Sequence, residues 1–303
     1  MTDGASPLVR RRRLAAELRR LRADAGRTLD DVAEHLECSA TKVSRIESGQ
    51  AGARIQDVRD MLDLYGVTGA EREELLDLVR QARQRDWWHV YADMIPPEFR
   101  TMIGLEDEAT TIWTYEVHLV PGLLQTARYA RAIMTTRRDA PSELLDRGIQ
   151  LRTTRQAVLA REHPPDYWAV LDEAVLRRPV GAPEVMEEQY AHLIAMAAAP
   201  TVTVQVVPFE AGADAGGSFP FVILGSADLA EPKVVYVELL DDAFYFNKAE
   251  KVGRYLAQFD NLRGRALDPA RSVDLIRRLW QQSRRSRGLG PEAETPEPGG
   301  MPA

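Results

Sequence analysis

The chain has 303 residues, which calls for two domains rather than one. Its 45% apolar content is that of an ordinary globular protein, and no apolar run reaches the ~20 residues needed to span a bilayer. The formal net charge of -7 argues against a nucleic-acid binder only if acid is spread evenly. It is not: residues 1–54 carry eleven basic and eight acidic side chains, and the remaining 249 carry 28 and 38. The single cysteine, Cys38, rules out an intrachain disulfide and a Cys-only zinc site, which fits a reducing cytoplasm. The basic stretch at the start has no apolar core behind it, so no secretory signal is expected. Lysine is scarce and arginine abundant, a bias that suggests an actinobacterium-like, GC-rich host.

In chain order, five helical segments fit residues 8–85. Leu14, Leu18, Leu21 and Ala25 share one helix face, and Gly26 ends that helix. Thr28 caps a second helix, with Asp31 three residues on completing a capping-box-like start. Leu29, Val32, Ala33 and Leu36 form its buried stripe. Ser39 caps a third helix that turns Val43 and Ile46 inward and stops at Gly49. Ile55, Val58, Leu62 and Tyr65 mark a fourth, and Leu75, Leu76 and Val79 a fifth.

The run of Arg10 to Arg13 reads equally as a solvated charged face or as an arm following phosphates. Residues 86–104, with Trp87, Trp88, Tyr91, Pro96 and Pro97, read as a connector. Residues 105–286 mix strands and helices. Strands are expected at 111–118, 167–172, 201–207, 219–224, 233–239 and 243–247; helices at 121–136, 142–161, 183–198, 248–263 and 269–286. The fold class is therefore a multi-domain chain: an all-α helix-turn-helix domain, then an α+β domain with one mixed sheet and packed helices. Residues 287–303, rich in Pro, Gly and Glu, read as a disordered tail.

The second and third helices carry the most information. Two short helices that cross steeply need a small residue at the crossing, which Ala33 supplies. The second of them then exposes a short polar face, Ala40, Thr41, Ser44 and Arg45. An arginine bonds guanine O6 and N7 bidentately, and Thr and Ala methyls pack on a thymine methyl. Thr28, Ser39 and Lys42 stand where phosphates would be contacted. Residues 14–64 resemble the lambda-repressor-like, XRE-type helix-turn-helix family, through LRRLRADAGRTLDDVAEHL, SATKVSRIESG and IQDVRDMLDLYGV. The resemblance implies that Glu47 pairs with Arg22 of the first helix. Glu37 stands where the family often has Gly, so a positive φ is expected on a non-glycine residue.

Stretches including LEDEATTIWTYEVHLVPGLLQTARYARAIM and VVYVELLDDAFYFNKAEKVGRYLAQFDNLRGRALDP resemble a long-uncharacterised C-terminal domain of actinobacterial XRE-type regulators. That resemblance implies a regulator, often encoded beside a short partner in toxin–antitoxin-like gene pairs. Three histidines, His118, His163 and His192, lie scattered without metal-ligand spacing, and there is no Gly-rich phosphate loop. Neither enzyme activity nor a metal or cofactor is expected. Asp172 and Glu173 read as a strand end with one buried, hydrogen-bonded acid; Asp241 and Asp242 read as a hairpin turn. Trp113, Tyr115, Trp168 and Tyr245 are the residues that could serve a ligand or partner, though aromatics on strands are more often core. The loop 212–220 is a second such feature. The expected partners are operator DNA, a second copy of the chain, a small protein encoded nearby or a small effector, with no membrane.

Overall fold

The computed structural model describes residues 7–49, 51–81, 87–136, 141–213, 219–226, 233–240 and 242–288. The loop core 214–218, Asp241 and most of the C-terminal tail lie outside the described residues. The contacts divide the chain into two compact units, the first ending at Glu108 and the second starting at Ala109.

The first unit is helical. It contains α1 (Pro7–Asp24), α2 (Leu29–His35), α3 (Ala40–Glu47), α4 (Ile55–Leu64), α5 (Gly69–Gln81), a 3-10 turn (Trp87–Tyr91) and α6 (Pro97–Glu108). Leu14, Leu18 and Leu21 of α1 meet Val32, Val43, Ile46, Val58, Met61 and Leu62 in one core. Each such side chain, fully buried, contributes about 1.5–3 kcal/mol of transfer free energy. α1 and α3 end on Gly26 (φ 64) and Gly49 (φ 72), where the left-handed turn falls on a residue without Cβ. The turn between α2 and α3 has no such relief: Glu37 holds φ 50, the non-glycine positive φ among the described residues. Within 86–104 the chain is not all connection. Pro97 opens α6, a helix start at which a missing N–H costs nothing, and α6 packs on α1.

The second unit is a mixed six-stranded sheet with helices packed on it. Its elements are β1 (Thr111–Glu116), α7 (Ala127–Met134), α8 (Ser142–Gln156), β2 (Asp166–Asp172), α9 (Glu173–Arg177), α10 (Pro183–Met196), β3 (Val202–Val207), β4 (Phe221–Gly225), β5 (Lys233–Glu238), β6 (Ala243–Phe246), α11 (Ala249–Arg265) and α12 (Pro269–Ser286). The order is β3-β2-β1-β4-β5-β6. β1, β2 and β3 run parallel, and β4, β5 and β6 join them antiparallel. Alternation sends Trp113, Tyr115, Val170, Phe221, Ile223 and Val235 to one face, where Val252, Phe259 and Leu262 of α11 cover them.

The helix expected over 121–136 splits into a 3-10 turn (Gly122–Leu124) and α7. Gln125 and Thr126 break it: the Gln125 side-chain amide donates to Val120 O at 2.6 Å, and Thr126 caps α7 by accepting from Tyr129 N–H at 3.2 Å. The five-residue α9 follows β2 directly, capped by Asp172, which accepts from Ala174 N–H at 2.8 Å. Glu173 is the buried acid of that strand end, accepting from Phe209 N–H at 2.8 Å and pairing with Arg177 at 2.6 Å. At the hairpin end of β5, Asp242 O accepts from Leu239 N–H at 2.8 Å.

Candidate nucleic-acid interface

α2 starts with a reciprocal pair of bonds. The Thr28 hydroxyl accepts from Asp31 N–H at 3.1 Å, and Thr28 N–H donates to the Asp31 carboxylate at 2.8 Å. The bond from Thr28 N–H, first of all, holds the Asp31 carboxyl below its ordinary range. Two carboxylates, Asp30 and Asp31, therefore already occupy the first turn of α2. The first turn of α3 carries no acid; there the Ser39 hydroxyl accepts from Lys42 N–H at 3.2 Å.

α3 buries Val43, Ile46 and Glu47 and leaves Thr41, Ser44 and Arg45 exposed, with Ala40 and Lys42 half-buried. This division follows from helical spacing: Val43 and Ile46 lie one turn apart, and Thr41, Ser44 and Arg45 fall on the other side. Among the described residues the Arg45 guanidinium has no ion pair, so its planar donor fork is uncommitted. Lys42 differs: its ammonium lies 2.8 Å from the Asp57 carboxylate of α4. No local spacing announces that pair, since its members stand fifteen positions apart.

Arg22 braces the back of α3. Its Nε lies 2.8 and 3.0 Å from the two carboxylate oxygens of Glu47, and another nitrogen donates to Arg27 O at 2.8 Å. The side chains are 18% and 4% exposed, so this pair is largely out of water. The bond to Glu47 raises the Arg22 pKa against the opposing effect of burial. Tyr65 stands beside the pair, its phenol pushed up by burial and by the Glu47 charge. In the Arg10–Arg13 run, Arg10 is buried and Arg13 pairs with Glu74 of α5 at 3.2 Å. The run belongs to α1 rather than to an extended arm.

The aromatic residues singled out in the second unit do not form one site. Trp113 stacks on Phe259, with ring centres 5.5 Å apart, beneath the Lys233 ammonium at 3.7 Å. Tyr115 is buried against Phe221 at 6.0 Å. Trp168 meets Phe259 edge-on at 6.4 Å and donates from its indole to Gln205 at 2.9 Å. These three build the core under α11, as strand aromatics usually do. Tyr245 lies on the opposite face, 5.2 Å from Tyr236.

No helix among the described residues is long and apolar enough to cross a membrane. Residues 13–75 match a family described as a helix-turn-helix domain. Residues 99–278 match the family described as a domain of unknown function, DUF5753. No curated protein and no solved structure matches the chain.

Proposed function

The chain belongs to the DUF5753 family and carries a helix-turn-helix domain ahead of that region; on that premise we propose a sequence-specific, DNA-binding transcriptional regulator, active in the cytoplasm without catalysis of its own. The observation that carries the reading is the α3 surface: Thr41, Ser44 and Arg45 exposed on a helix whose opposite side is locked by Val43, Ile46 and the Arg22–Glu47 pair. Arg45 reads guanine, with Ala40, Thr41 and Ser44 beside it. Ser39, at an acid-free helix start, takes a phosphate more readily than Thr28, which faces Asp30 and Asp31. Lys42 contributes to phosphate binding to the extent that Asp57 releases it.

The regulator works as a homodimer on a palindrome, with half-sites about one helical turn apart. The second unit sets its output by sensing a small effector or partner. Gel shift with DNA from the gene's own upstream region tests the reading. Arg45→Ala should weaken binding by roughly 1–3 kcal/mol and relax preference at one base pair, with no change in thermal stability. Binding indifferent to Arg45→Ala discards α3 as the reading helix.

A second reading, an antitoxin-like module that holds a neighbouring gene product, is favoured by the β5–β6 hairpin. There Leu239, Leu240 and Phe244 are exposed, Leu240 at 94%. Leu240→Asp should abolish co-purification with the neighbouring product while leaving DNA binding intact.

A further inference from the structure

The last helix of the sheet unit has two unlike sides. Ser272, Leu275, Ile276 and Leu279 of α12 are buried, and the helix packs on α10 and β3. Its remaining surface is basic: α12 carries five arginines against one acid, Asp274. It does so within residues 55–303, where acid outnumbers base by 38 to 28. Arg271, Arg278 and Arg285 recur every seven residues and are exposed. Seven residues make two turns less about 20°, so the three stand along one strip at intervals of about 10.5 Å.

The neighbouring acids are already engaged. Asp274 pairs with Arg277 at 2.7 Å, and Glu184 and Glu187 of α10 pair with Arg287 at 2.9 and 3.1 Å. Asp268 caps the helix by accepting from Arg271 N–H at 2.8 Å, a backbone bond that does not use the guanidinium. Among the described residues, no ion pair or side-chain hydrogen bond holds Arg271, Arg278 or Arg285.

Helix stability does not account for the strip. Arg285 lies in the last turn, where the helix dipole favours a cation. Arg271 lies in the first turn, which holds no acid and where the dipole disfavours one. A lipid surface does not suit it either, since the leucines and isoleucine of α12 are buried inside the unit. Protein interfaces are built around apolar or aromatic anchors, and no large apolar side chain of α12 is exposed. The exposed leucines of the β5–β6 hairpin make the opposite kind of surface. Phosphate contacts need no such anchor, and planar guanidinium forks fit them.

We propose that the strip of Arg271, Arg278 and Arg285 is a second DNA contact, one that grips the phosphate backbone of a duplex without reading its bases. The inference rests on the reading of the chain as a DNA-binding regulator. A duplex carries one charge per ~1.7 Å of axis, so each guanidinium meets a phosphate in any register. Base preference then comes from α3, and α12 adds affinity common to all sequences.

Fluorescence anisotropy of the full chain over a salt series tests this. The probes are a labelled duplex from the gene's own upstream region and a scrambled duplex of equal length and composition. Changing Arg271, Arg278 and Arg285 together to glutamine should weaken binding to both by the same factor, at least about tenfold at roughly 0.1 M salt. The slope of log K against log salt should flatten by about two to three, at ~0.9 per phosphate lost. The ratio of the two affinities should hold, because phosphate contacts carry no sequence information, whereas Arg45→Ala changes it. Lysine at all three positions should keep the wild-type slope. Equal slopes for the wild type and the glutamine variant overturn the proposal. So does tighter binding by that variant, which would mark the strip as the seat of an acidic protein or peptide. Failure of the two readings looks different: a wild type that binds neither duplex brings down the regulator and the strip together. A wild type that prefers the upstream duplex, with an unchanged slope in the glutamine variant, removes the strip alone.

Discussion

In the helical unit, the polar residues of α2 and α3 point outward, and buried Glu47 is held by one guanidinium, Arg22. In the sheet unit, buried polar side chains tie one element's backbone to another's. Gln189 accepts from Thr126 N–H at 2.8 Å and donates to Leu124 O at 2.7 Å. Gln205 donates to Leu267 O at 2.8 Å, and Ser272 accepts from Val206 N–H at 3.0 Å. Polar groups spent on architecture cannot also meet a partner. The free donors of α3 are therefore a stronger functional signal than any glutamine of the sheet unit. Among the buried side chains of the sheet unit, the unpartnered Thr114 hydroxyl is an exception to that rule.

The largest test of the contrast is Phe259→Ala. Phe259 is fully buried and touches the rings of Trp113, Trp168 and Phe221. Its loss should cost about 3–5 kcal/mol in urea denaturation of the sheet unit. A loss below about 1 kcal/mol would mean that the site collapses around the gap and the cluster is no keystone. Glu47→Leu comes next. It strands Arg22 in a largely dry setting and should cost about 3 kcal/mol, much of it recovered when Arg22→Met is added. No recovery in the double variant would show that the pair has a role beyond mutual neutralisation.

The two units also differ in how far they can be read from sequence. α2 and α3 were legible because cap, buried stripe and stop fall at fixed local spacings: Thr28 with Asp31, Val32 with Ala33, Ser39 to Gly49. The mixed sheet was legible from six short runs such as TVTVQVV, now β3. Strand order was not, because register depends on residues distant in sequence; that β4 pairs with β1 rather than with β3 comes from topology alone. The short α9 has no signature in the sequence, since five residues carry no period, and Pro96–Pro97 at the start of α6 has the look of a chain break although a proline is well placed in a first helical turn.

Glu37 offers a smaller test, where local preference and fold disagree. Its φ of 50 is a backbone state that a side chain resists and glycine accepts. Its side chain is exposed, so Glu37→Gly removes little contact. The variant should gain about 0.5–1 kcal/mol in thermal denaturation. A loss instead would place the value of Glu37 in its carboxylate rather than its backbone.

The smallest expected effect probes whether α3 keeps anything in reserve. Lys42 is held 2.8 Å from Asp57, yet its side chain remains 41% exposed. Partly exposed pairs of this kind contribute under about 1 kcal/mol, so a phosphate can compete for the ammonium. Asp57→Asn removes the competitor's charge and keeps its shape. DNA affinity at low salt should then rise two- to threefold, about 0.5 kcal/mol, and the slope of log K against log salt should steepen by about one. Stability should fall by a similar few tenths of a kcal/mol, because Asp57 also sits in the first turn of α4, where a negative charge is favoured. An unchanged slope with weaker binding would mean that the pair fixes the angle at which α3 is presented. Lys42 would then belong with Arg22 as a brace, and the phosphate contacts of this helix would pass to its N-terminal backbone and Ser39.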